Sequence, residues 1–116
     1  MAFERFTQGR RSYAPKASLN KSGVIGMNEG ARQRFRLEEF KFAVLYYDRD
    51  AQRIGIQLTN DPNEAGARKL RLRPTGADVS ARSFFQFFEL DVQETRSRPL
   101  AKDQKTGYLI IDLKSE

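Results

Sequence analysis

The run FKFAVLYYDRDAQRIGIQL, Phe40 to Leu58, constrains this chain most, because it reads as two strands that must pair with each other. Phe40, Phe42, Val44 and Tyr46 recur at every second position, with Lys41, Ala43, Leu45 and Tyr47 on the opposite face. After the turn chemistry of DRDAQ, Ile54, Ile56 and Leu58 repeat the same period. Period two is strand geometry, and so short a polar link returns the chain antiparallel. A β-hairpin therefore anchors the fold.

The segment ahead of the hairpin changes period. VIGM is a short extended run, after which Asn28 is a good N-cap, Glu29 suits the first turn, and Ala31 and Phe35 fall one turn apart on a buried side. This predicts a helix of two to three turns ending near Leu37. A similar order of events returns after the polar connector TNDPNEAGA. KLRLR, Lys69 to Arg73, alternates as a strand and PTGAD breaks it. Ser80 is an N-cap, and Ala81, Phe84, Phe85 and Phe88 share one helical face, leaving Phe87 off it. VQETRSRPL is a weaker strand, AKDQKTG a turn, and YLIIDL, Tyr108 to Leu113, the strongest strand of the chain. The expected fold class is α+β, mainly β. Two strand-helix-hairpin pseudo-repeats, 23–59 and 68–114, form a small barrel-like or sheet-plus-helices domain, either closing on each other or pairing with another chain as a homo-oligomer.

Composition bounds what such a domain can do. The chain has 116 residues, the size of one domain, with 39% hydrophobic and 31% charged residues and nine phenylalanines. That is too aromatic for a disordered chain and too charged for a membrane protein, and the first residues lack the apolar core of a secretory signal. A cytoplasmic protein without a membrane partner is expected. With no histidine and no cysteine, nucleophile-base triads, zinc sites and imidazole catalysis are excluded, and no phosphate-cradling glycine motif occurs. Carboxylates remain. Asp48 and Asp50 sit in a turn, and Asp112 with Lys114 forms an acidic-x-Lys pair of the kind metal-dependent nucleases use, but no partner carboxylate stands on a preceding strand. No enzyme, cofactor or metal site is expected.

The net charge of +6 is uneven. Residues 1–22 carry Arg5, Arg10, Arg11, Lys16 and Lys21 against Glu4, a net of +4, without helical or strand period. This reads as a mobile basic arm, of the kind that lies along phosphates and releases condensed counterions, or as a solubilising terminus. On the first helix, with Ala31 at about 0° and Phe35 at about 40°, Arg32 falls at about 100°, Arg36 at about 140° and Arg34 at about 300°. These arginines flank the buried stripe rather than form one basic face. Arg71 and Arg73 share a face of their strand, where they could meet phosphates or protect a sheet edge.

The run GVIGMNEGARQRFRLEEFKFAVLYYDRDAQRIGIQL resembles the swapped-hairpin domain of AbrB, MazE and SpoVT-type transcription factors, and the doubled pattern is similar to MraZ, in which two such halves share one chain. The resemblance implies two hairpins interleaved into a small barrel, with arginines near the helix approaching DNA. Arg32, Arg34 and Arg36 would be those positions in the first half and Arg82 in the second. The expected function is non-catalytic nucleic-acid binding, DNA favoured over RNA, in transcriptional regulation. The nucleic-acid contacts would be Arg10, Arg11, Lys16, Lys21, Arg32, Arg34, Arg36, Arg71, Arg73 and Arg82. Two alternatives stand beside it. One is a protein-interaction or structural module using the same cations on an acidic partner. The other is a single-strand binder stacking bases on Tyr46, Tyr47 or the phenylalanine cluster, although the shared face of Phe84, Phe85 and Phe88 favours core.

Overall fold

A computed structural model describes residues 14–90, 92 and 94–114. The hairpin forms as expected. Strand β3 (Phe42–Asp48) pairs with β4 (Arg53–Thr59), and the Asp48 carboxylate accepts from the amides of Asp50 and Ala51, each at 3.1 Å, to close the turn. The face turned inward is that of Ala43, Leu45 and Tyr47, which stand opposite Leu58, Ile56 and Ile54. Tyr46 lies on the outside.

Two further strands precede the hairpin. β1 (Lys16–Asn20) pairs with β2 (Val24–Asn28), and Ala17, Leu19, Ile25 and Met27 are buried. Lys16 to Asn20 was expected in the mobile arm, and this part of the expectation is corrected. Two apolar residues at alternate positions are too few to stand out from a basic, period-free context, yet they suffice once strands lie on both sides. Helix α1 (Glu29–Phe35) follows directly, with the Asn28 side chain accepting from the Ala31 amide at 2.9 Å. The same side chain accepts from the Lys16 amide at 3.1 Å and donates to the Ala14 carbonyl at 2.7 Å, so one residue caps the helix and fixes the entry of β1. Arg36 ends α1 in the left-handed conformation, φ 53°, and a single 3-10 turn, Leu37–Glu39, leads to β3.

The second part of the chain departs further from expectation. β5 (Arg68–Arg73) turns through Pro74 and Thr75 into β6 (Gly76–Ser80), so the Gly-Ala-Asp expected to break the chain is itself a strand. Ser80 is the last residue of β6 rather than an N-cap. Helix α2 (Arg82–Phe87) starts from Ala81, which has no capping side chain and whose amide instead donates to the Gly23 carbonyl at 2.8 Å. β7 (Arg96–Lys102) and β8 (Leu109–Asp112) form the last hairpin. Its turn is braced by Asp103, whose carboxylate is held below its ordinary range first by the Thr106 hydroxyl at 2.7 Å and then by the Thr106 amide.

The eight strands close into one antiparallel barrel in the order β1-β2-β6-β5-β3-β4-β8-β7. Closure gives every strand a neighbour on each side. β5 pairs with β6 along Leu70–Arg73 but with β3 only at Arg68 and Lys69, so Arg71 and Arg73 lie where the β3 side of the strand is left without a ladder partner. Because Val24 stands opposite Ser80 and Asn28 opposite Gly76, α1 and α2 leave from opposite ends of the β2–β6 pair. Ala31 and Leu37 seal one end and Phe84 and Phe85 the other, all at most 6% exposed.

Candidate nucleic-acid interface

The barrel separates the ten basic residues expected to bind nucleic acid. Arg10 and Arg11 lie outside the described residues. Lys21, in the β1–β2 turn, and Arg82, opening α2, belong to the α2 end. Lys16 begins β1 on the barrel wall, where it shares a depression with Arg73.

Four of the arginines on α1 and β5 are engaged within the fold. Arg71 and Arg73 both grip Asp78, the one buried charged residue among those described, at 5% exposure. Arg71 Nε lies 2.6 Å from one carboxylate oxygen, and Arg73 Nε bonds the other. Their shared face, legible in the sequence, therefore faces a carboxylate from the segment expected to be a turn. Two charge-assisted hydrogen bonds make Asp78 tolerable inside a sheet, since an unpaired carboxylate there would cost several kcal/mol by the usual desolvation penalty, ~3–5 kcal/mol. Arg32 donates to the Arg73 carbonyl and sits 3.7 Å from Glu38, tying α1 to the β5–β6 turn. Arg68 is likewise occupied, donating to the Ser80 carbonyl at 3.2 Å and the Ser83 hydroxyl at 2.8 Å.

Arg34 and Arg36 are different. They border an open cleft of about 660 Å³ between the end of α1 and β7, together with Lys102. Phe35, Phe40 and Leu100 form its apolar floor, and Glu39 is the one acidic residue among its described lining. Arg36 is 74% exposed and, among the described residues, forms a single ion pair, with Glu39 at 3.8 Å, an interaction that solvent and salt weaken. The left-handed bend at Arg36 sets its side chain at the rim instead of continuing the helical path. Lys102 escaped the sequence reading because it was assigned to a turn, whereas it ends β7. Only the return of β7 beside β1 brings it to this end of the barrel.

The cleft continues into a second depression of about 260 Å³, which shares Phe35, Phe40 and Lys102 with it and reaches Tyr108. The Tyr108 ring stacks on Tyr46 with centroids 4.8 Å apart and planes 7° from parallel. Gly55, between them on β4, leaves room for the flat pair, since a Cβ there would meet Tyr108 Cδ2 at 3.4 Å. Tyr46 donates to Gln57 Oε1 at 2.5 Å, and a hydrogen bond with Tyr108, then burial, raise its phenol above the ordinary value. Of the other aromatics considered for stacking, Tyr47 packs inward on Phe84 and Phe88, Phe85 is buried, and Phe87 stands 74% exposed.

Among the described residues, no three His, Cys, Asp or Glu side chains group as a metal site would require, and no helix is long and apolar enough to cross a membrane. No family model matches the chain, and neither a curated protein nor a solved structure matches it.

Proposed function

We propose that this protein binds nucleic acid without catalysis, duplex DNA foremost, in transcriptional regulation, through the cleft at the α1 end. The observation that carries the reading is the convergence of Arg34, Arg36 and Lys102, from two distant parts of the chain, around an apolar floor. Three cations spaced along an open groove suit a line of phosphates, and the floor suits sugar edges. The strand order supports the swapped-hairpin resemblance. If β1–β2–α1–β3–β4 is exchanged with β5–β6–α2–β7–β8, the circular order β1-β2-β6-β5-β3-β4-β8-β7 maps onto itself, and hairpins from the two halves alternate around the barrel. In this reading the first half begins at Lys16, with β1 matched to β5 and β2 to β6.

A second form of ligand, single-stranded nucleic acid, is favoured by the continuity of the cleft with Tyr108. Phosphates on Arg34, Arg36 and Lys102 would leave a base within reach of the Tyr46–Tyr108 stack.

Salt-titrated binding to duplex DNA, single-stranded DNA and RNA tests both. Replacing Arg34, Arg36 and Lys102 together by alanine is expected to weaken binding ~30–100-fold at moderate salt and to flatten the log-log salt slope by about three, with each surface change altering stability by only about ±0.5 kcal/mol. Unchanged affinity for all three oligonucleotides would remove the cleft from consideration. Tyr108→Ala separates the forms, because it should weaken single-strand binding and leave duplex binding alone. Asp78→Ala should do the opposite of the triple variant. It should lose only ~1 kcal/mol in urea unfolding, since the half-exposed guanidiniums of Arg71 and Arg73 regain water when their carboxylate goes, while the salt slope stays that of the parent.

A further inference from the structure

β7 carries arginines where the neighbouring strands bury apolar side chains, with Arg96 exposed at the mouth and Arg98 half-buried. Leu100 points inward opposite Ile111, and the alternation of the strand puts Arg98 and Arg96 on the same side, opposite the buried Ala17 and Leu19 of β1. Arg98 Nε is removed from solvent and has no hydrogen-bond partner among the described residues. Neither Arg96 nor Arg98 forms an ion pair with a described carboxylate. A guanidinium N–H in this position forfeits its hydration without replacement, which is costly enough that such groups are nearly always met by an acceptor.

Both arginines open onto a cavity of about 200 Å³ at the α2 end, walled by Leu19, Ile54, Phe85 and Leu113 among others. We infer that this cavity is a binding site for a small amphipathic monocarboxylate, whose carboxylate meets Arg98, with Arg96 beside it, while its hydrocarbon chain lies among Leu19, Ile54, Phe85 and Leu113. The wall chemistry selects the class. A phosphate or dicarboxylate would press its second charge against leucine and phenylalanine, whereas a fatty acid places one anionic end on the planar guanidinium and buries the remainder. An apolar cavity of about 150 Å³ accepts a benzene-sized guest, so this volume suits a chain of about six to eight carbons. The site is at the opposite end of the barrel from the cleft proposed for nucleic acid and does not rest on that proposal.

The test titrates the full chain with octanoate, octan-1-ol and acetate at matched ionic strength, following thermal stability and the arginine Nε–H resonances in proton–nitrogen spectra. Octanoate is expected to raise the melting temperature and shift one buried Nε–H signal. Octan-1-ol, which lacks the charge, and acetate, which lacks the chain, should each bind at least about tenfold more weakly. Arg98→Met should abolish the preference for octanoate over octan-1-ol, and the variant lacking Arg34, Arg36 and Lys102 should retain it. Equal binding of octanoate and octan-1-ol, or an unmoved Nε–H signal on the parent protein at saturating octanoate, would overturn the assignment and mean that Arg98 is satisfied within the chain.

Discussion

Gly76→Ala is expected to destabilise this protein by ~3 kcal/mol or more, from one added methyl group. Gly76 opens β6 with φ 149°, a conformation side chains rarely adopt, and it stands opposite Asn28 in the β2–β6 pairing. A Cβ at this position would lie 2.0 Å from the Met27 carbonyl oxygen, against backbone that cannot swing aside as a side-chain tip would. Relief requires the β2–β6 ladder to part at the end from which α1 departs, so the loss reaches the helix cap at Asn28 as well. Chemical denaturation with Gly107→Ala as reference isolates the cause. Gly107 also has positive φ, 79°, but nothing lies within 4 Å of its added Cβ, so it should lose only the backbone strain, about 1 kcal/mol. Equal losses at the two positions would show that the close approach at Met27 does not limit the barrel.

Phe85→Ala is expected to cost a further class of energy, ~3–5 kcal/mol, by emptying the core at the α2 end. Phe85 is 6% exposed, lies 6.1 Å from Phe84 ring to ring, and receives little help from its helix, which spans only Arg82–Phe87 and has no capping side chain. So short a helix persists because its apolar face is buried and not because of its propensity. Phe87→Ala on the same helix should change stability by about ±0.5 kcal/mol, since that ring is 74% exposed. Thermal unfolding of the pair decides the matter. A Phe87 loss as large as that of Phe85 would mean that the α2 end is covered by something other than its own core.

Several elements were legible because their causes are local. Asn28, Glu29, Ala31 and Phe35 name α1 within eight consecutive residues, and cap, first turn and buried stripe all lie within that helix. The β3–β4 hairpin and its Asp48 turn follow from two runs that face each other. Phe84 and Phe85 were placed in the core, and Phe87 outside it, by helical period alone. β1 and β6 were missed for opposite reasons. β1 has too little apolar periodicity to be separated from its basic surroundings, and β6 has the composition of a turn. Gly76 is small because Met27 passes close by, and Asp78 is tolerated because Arg71 and Arg73 reach it, facts that belong to neighbouring strands.

The same division runs through the candidate sites. From the sequence alone came the mainly β fold class, the hairpin and the positions of both helices. These depend on backbone geometry over a few residues, where side-chain spacing translates directly into direction. The tertiary structure decided which cations remain available. Arg71 and Arg73 are taken by Asp78 and Arg32 by the β5–β6 turn, while Arg34 and Arg36 meet Lys102 across an open cleft and Arg98 turns into the barrel. A charge acquires its partner through strand order, and the closed β1-β2-β6-β5-β3-β4-β8-β7 ring brings together segments whose separation along the chain carries no trace of their proximity.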